Sequence, residues 1–169
     1  DFFLSFTLGF LDSRNNHGLP EAVLAQQYPF FYPVEEGAQI LIDYRNFRAD
    51  VWINWYLLNT PEHREFFASG FHASAEWPFV SCEAGFRVSH HGGQLYDDAG
   101  PVTNNLAGMV RCVLSERWEA LNADFGLAGT VYGSADYIKG GIPGERTERV
   151  FGYGGEAECF FAPWGWKLY

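Results

Sequence analysis

The stretch Val80-Ser81-Cys82-Glu83-Ala84-Gly85-Phe86-Arg87-Val88-Ser89 alternates without interruption. Val80, Cys82, Ala84, Phe86 and Val88 fall on one side of an extended chain; Ser81, Glu83, Gly85, Arg87 and Ser89 fall on the other. Successive side chains of a strand point to opposite faces, so a period of two reads as a strand with one apolar and one polar face. The preceding stretch repeats the pattern: Phe67, Phe71, Ala73, Ala75 and Trp77 oppose Gly70, His72, Ser74 and Glu76. Only Trp77-Pro78-Phe79 joins the two, which predicts an antiparallel hairpin.

Alternation continues in both directions. Toward the start, Phe2, Leu4, Phe6, Leu8 and Phe10 share a face, as do Ala38, Ile40, Ile42 and Tyr44, and then Ala49, Val51, Ile53, Trp55 and Leu57. Toward the end come Leu106, Val110, Cys112 and Leu114, then Leu121, Ala123, Phe125, Leu127 and Val131, then Phe151, Tyr153, Ala157, Cys159 and Phe161. The one competing helical pattern, residues 19–27, starts with proline and reads as a short turn inside a loop. The fold class predicted is all-β: one domain over residues 1–169, an antiparallel up-and-down β-barrel of about eight visible strands.

Connection lengths alternate. Residues 12–36, 91–104 and 135–148 make long loops, and residues 59–65 an intermediate one; those around 45–48, 77–79 and 115–119 are short. A meander places every second loop on the same rim, as in outer-membrane barrels, which have long loops on one side and short turns on the other.

Composition points the same way. Aromatic residues make up 18% of the chain, and only Lys139 and Lys167 are lysines. Soluble β-proteins guard exposed edges with lysine, so its scarcity means that few faces meet bulk water. The formal net charge of −10 excludes a nucleic-acid partner, which would need a basic footprint. No run of about 18 apolar residues predicts a transmembrane helix, but barrel strands carry a weaker signal. Segments of about 10–14 residues are long enough to cross an apolar layer at the usual tilt. Aromatic residues such as Phe66, Phe67, Trp77, Trp118, Tyr137 and Phe151 recur near strand ends, as in interfacial girdles. A soluble lipocalin-like barrel, with apolar side chains inward, is the competing arrangement.

Across nearly its whole length the chain resembles bacterial outer-membrane β-barrel proteins. Asn16-His17-Gly18-Leu19-Pro20-Glu21-Ala22 and His90-His91-Gly92-Gly93-Gln94 resemble segments of uncharacterised Bacteroidetes-type barrels. The resemblance implies location in the outer membrane of a Gram-negative bacterium, with outer-membrane lipid and other outer-membrane proteins as partners. It carries no catalytic residues and no cofactor. No signal peptide opens the sequence, and residues 162–169 read as a turn followed by the start of another strand. The chain therefore reads as processed, or as a fragment of a longer one.

Candidate chemistry concentrates in three places. His72, Glu76, Glu83, Arg87, Arg111, Asp124, Glu156 and Glu158 share the polar faces and are expected to form a charge-paired network in the lumen. His91, Asp97 and Asp98 combine imidazole and carboxylate in a way that could hold a divalent cation. Tyr28, Phe31 and Tyr32, in the longest loop, could stack on a ligand. Gly140-Gly141-Ile142-Pro143-Gly144 lacks the Lys-Ser/Thr of a phosphate cradle, and no GxSxG nucleophile motif occurs. Cys82, Cys112 and Cys159 have no metal or redox spacing and read as free thiols, with one disulfide between two of them as the alternative.

A structural, surface-binding or assembly role therefore leads. A porin-like channel, a soluble ligand-binding barrel and an outer-membrane hydrolase are the alternatives, and a non-enzymatic role is favoured over an enzymatic one.

Overall fold

The structure is a computed structural model that describes residues 2–25, 34–92, 100–140 and 147–163. Eight strands follow one another: β1 (Phe2–Phe10), β2 (Glu36–Tyr44), β3 (Phe47–Leu57), β4 (Phe66–Glu76), β5 (Val80–His91), β6 (Val102–Trp118), β7 (Ala123–Lys139) and β8 (Glu148–Pro163). They form a single sheet in sequence order, every neighbouring pair antiparallel. No described helix is long and apolar enough to cross a membrane.

The predicted faces are the observed ones. Phe6, Leu8, Val51, Val110, Leu114, Leu127, Val131, Phe151 and Tyr153 are exposed on the outward face. Gln39, Trp52, Asn54, Ala68, Met109, Ala128 and Thr130, one position out of phase, are buried on the inward face. This inverts the soluble arrangement, in which the apolar face would be the hidden one. The lipocalin-like alternative loses its basis here.

The inward face is covered by the chain's own first connection. A 3-10 turn, Arg14–Gly18, leads to a single helical turn in which Val23 N and Leu24 N both bond to Pro20 O at 2.9 Å. This is the turn expected from Leu19 onward. Leu19, Val23 and Leu24 pack with Trp52, Ala68 and Met109, and Tyr56, Ala107 and Tyr132 close around them. One cluster thus joins β3, β4, β6 and β7 through the 11–25 segment, so the sheet curls around it. Gly85 makes this approach feasible, since a Cβ there would meet Leu19 Cδ2 at 2.5 Å.

The expected barrel is met in strand number, order and facing, but not in closure. Among the described residues β1 and β8 remain the two edges of the sheet. Alternation specifies which way each side chain points; closure depends on strand tilt and stagger, which a period of two does not encode. Strands β6 and β7 also run longer than the pattern implied, 17 residues each. Their polar ends, such as Thr103-Asn104, read as loop but continue the ladder against Ile138 and Tyr137.

Candidate functional site

The inward face holds a buried charge centre. Asn16, His17 and Gly18 all take positive φ (50°, 55° and 74°), an uncommon succession for residues other than glycine. That turn drives His17 into the curl of the sheet. Its Nε2 lies 2.7 Å from Glu35 Oε2 and its Nδ1 2.8 Å from Asp50 Oδ2. The ring stacks on Trp52, centroids 4.4 Å apart. Gln39 completes the arrangement: Oε1 accepts from Asp12 N at 2.8 Å, and Nε2 donates to Asp12 O and to Asp50 Oδ2, each at 3.0 Å.

Ionised carboxylates only accept hydrogen bonds, so a ring held by two of them must donate from both nitrogens. Burial works against this charged form and is the largest single influence on it. The hydrogen bonds to Asp50 and Glu35, with the charges of both, outweigh burial and hold the His17 pKa up at about 9. At neutral pH, His17 is therefore an imidazolium. A catalytic triad needs one ring nitrogen on a carboxylate and the other free for a nucleophile. Here both are taken, and the centre ties the 11–25 segment to β3.

A second set lies beside it. Gly18 packs against the His72 ring, and a Cβ at Gly18 would sit 2.6 Å from His72 Nδ1. His72 Nε2 lies 3.3 Å from Glu83 Oε2, Glu83 Oε1 lies 3.7 Å from Arg111 Nε, and Arg111 Nη1 donates to Glu158 Oε1 at 2.5 Å. Tyr132 donates to Glu156 at 2.6 Å. The structure brings His72, Glu83, Arg111 and Glu158 together, with Glu156 alongside. Arg87 lies by the Tyr56 hydroxyl instead. Asp124 faces Arg117 at 3.6 Å, and Glu76 sits at the end of β4, outside the set.

His91 lies on the inward face against the edge of Phe66. Asp97 and Asp98 lie outside the described residues, as do Tyr28, Phe31 and Tyr32. Among the described residues no group of three or more metal-ligating side chains comes together. Cys82 and Cys112, directly opposite on the outward face of β5 and β6 with Cα atoms 4.2 Å apart, form a disulfide. The free-thiol reading therefore fails for these two, because only the register of the ladder reveals that they face each other. Cys159 is free and exposed.

The outward face carries a site of its own at the long-loop rim. Trp55 pairs with Phe67, Phe67 with His90, His90 with Asn104, Asn104 with Tyr137 and Tyr137 with Arg149. These six residues make one row across β3 to β8. Within it His90 Nδ1 lies 2.7 Å from Asn104 Oδ1, and His90 Nε2 contacts the Gly92 carbonyl. Among the described residues His90 is the histidine that faces outward from a strand.

The sequence profile of the lipid A 3′-O-deacylase-type family matches residues 3–140, most of the chain. The chain belongs to this family. It is a family of lipid A-modifying proteins associated with the outer membrane of Gram-negative bacteria, and a lipid A-type lipid is its implied substrate or partner. The match spans β1 to β7; β8 lies beyond it. No curated protein and no solved structure matches the chain.

The sequence alone missed His17, Glu35, Gln39 and Asp50. Asn15-Asn16-His17-Gly18 was visible as a loop, and its Asn-His-Gly run was the available signal, since asparagine and glycine tolerate left-handed backbone.

Proposed function

We propose that this protein is an outer-membrane β-barrel that hydrolyses an acyl ester of a lipid A-type lipid at the long-loop rim of its outward face. The observation that carries this reading is His90 hydrogen-bonded to Asn104 on the one face that an embedded lipid can reach, in a chain of the lipid A deacylase-type family. Open sheet edges do not occur in hydrocarbon, so embedding requires β1 and β8 to be paired, with each other in the simplest case. The 11–25 segment fills the inward face, which counts against a porin-like channel.

Nδ1–H of His90 donating to Asn104 Oδ1 orients the ring. Nε2 becomes a base once its contact with Gly92 is released. It then takes a proton from water as the oxygen attacks the ester carbonyl carbon, and returns it to the leaving alkoxide. Free acid and alcohol are the products. Water is the nucleophile in this scheme because, among the described residues, no histidine is hydrogen-bonded to a Ser, Thr or Cys side chain. That same observation favours a second reading, a lipid-binding family member without turnover.

Mass spectrometry of a lipid A-type lipid incubated with the detergent-folded protein separates the two. Loss of one acyl chain with the wild type, and none with His90→Gln, supports hydrolysis. Retention of every acyl chain by the wild type sinks the hydrolase reading and leaves the binder.

A further inference from the structure

The row that contains His90 has more in it than a hydrolase needs. At one end Trp55 and Phe67 rings lie 6.2 Å apart, and Phe67 and His90 rings 5.0 Å apart. At the other end the Arg149 guanidinium sits over the Tyr137 ring, 5.7 Å from its centroid. Lys139 follows Tyr137 on the same face of β7, two residues on, and is exposed.

The placement of charge is selective. The strands carry six basic residues: Arg48, Arg87, Arg111, Arg117, Lys139 and Arg149. By register the four at Arg48, Arg87, Arg111 and Arg117 face inward, and only Lys139 and Arg149 face outward. Both lie at the long-loop rim. Among the described residues Arg149 has no carboxylate partner, unlike Arg48, Arg111 and Arg117. In a chain of net charge −10, a pair of cations set together on the outward rim is complementary to an anion at headgroup depth.

We propose that this row recognises the phosphorylated sugar headgroup of its lipid, with Arg149 and Lys139 binding phosphate and Trp55 and Phe67 stacking on a sugar ring. A guanidinium matches phosphate geometry through paired N–H donors, and the Tyr137 ring beneath holds it in place. Three strand spacings, roughly 14 Å, separate His90 from Arg149, so anion and reacting ester are held at the two ends of one headgroup. Trp55, Phe67 and Lys139 lie within the residues matched by the family profile, and Arg149 lies on β8 beyond them. The inference rests on the outward face meeting lipid, not on turnover.

The test measures retention of lipid on detergent-folded, immobilised protein. The probes are a phosphorylated lipid A-type lipid and the same lipid after phosphatase treatment. The wild type is expected to prefer the phosphorylated form by about tenfold or more, and Arg149→Gln with Lys139→Gln to lose that preference. Trp55→Ala is expected to weaken both forms alike. Equal retention of the two forms by the wild type, or an undiminished preference in the double variant, would overturn the proposal. Competition by inorganic phosphate at the same concentration as lipid would do so too, by showing a simple anion site. Phosphate-dependent retention without acyl loss would leave this inference standing and remove the hydrolase reading alone.

Discussion

The imidazole of His17 and the carboxylate of Asp50 meet 2.8 Å apart on the inward face, and Glu35 holds the opposite nitrogen of the same ring at 2.7 Å. One cation from the first connection thereby pairs with two acids at once. Removing it should be costly. His17→Ala leaves Glu35 and Asp50 without their cation, and a loss of about 3–5 kcal/mol is expected from denaturant unfolding of the detergent-folded protein. A loss below about 1 kcal/mol would show that the 11–25 segment is held by Leu19, Val23 and Leu24 alone.

The same ring makes stability depend on pH. His17 titrates near 6.5 when free of the fold and near 9 within it, so the folded state holds the proton more tightly. Its contribution is complete below pH 6.5, declines as pH rises and is lost above about 9. The full contribution is of the order of 3 kcal/mol. The unfolding midpoint of the wild type should fall across this interval, and that of His17→Gln should stay nearly level.

Gly18 is constrained twice, by φ of 74° and by the His72 ring, whereas a Cβ at Gly133 would meet nothing within 4 Å. Gly18→Ala is expected to cost about 1–3 kcal/mol and to shift the ring resonances of His72. Gly133→Ala should stay within about 0.5 kcal/mol of the wild type. Equal effects at the two positions would contradict the packing of the turn against β4.

Cysteine labelling should distinguish the three cysteines. One thiol per chain, Cys159, is expected to react with a maleimide in unfolded, unreduced protein, and three after reduction. Cys82→Ser with Cys112→Ser is expected to lower stability by about 3–4 kcal/mol, as for a loop of this length. Three reactive thiols before reduction would refute the pairing.

Closure of the sheet is also measurable. If β1 and β8 pair in the membrane, amide exchange along Phe2–Phe10 should be slowed to the level of β4. Exchange confined to alternate residues of β1 would mark it as an open edge.

Much of this fold is legible in the residues. Eight alternating segments named the strands, their order and the face of each side chain, because pleat periodicity is local and needs no knowledge of neighbours. His72, Glu83, Arg111 and Glu158 could be assigned to one face for the same reason. The pairing of Cys82 with Cys112 could not, since it depends on the register between strands. Nor could the row Trp55–Phe67–His90–Asn104–Tyr137–Arg149, whose six members are scattered over 95 positions and aligned only by six strands in register. Arg149 would have read as one more loop cation.

What the sequence by itself determined is thus the two-faced strand, one face apolar and the other polar, with long and short connections in turn. Only the tertiary structure decided that the first connection turns inward, that His17 joins Glu35 to Asp50, and that His90 and Arg149 share an edge of the outward face. The reason is physical. Alternation is set by the backbone of each residue, whereas a buried ion cluster and a cross-strand row arise from how distant segments are brought side by side.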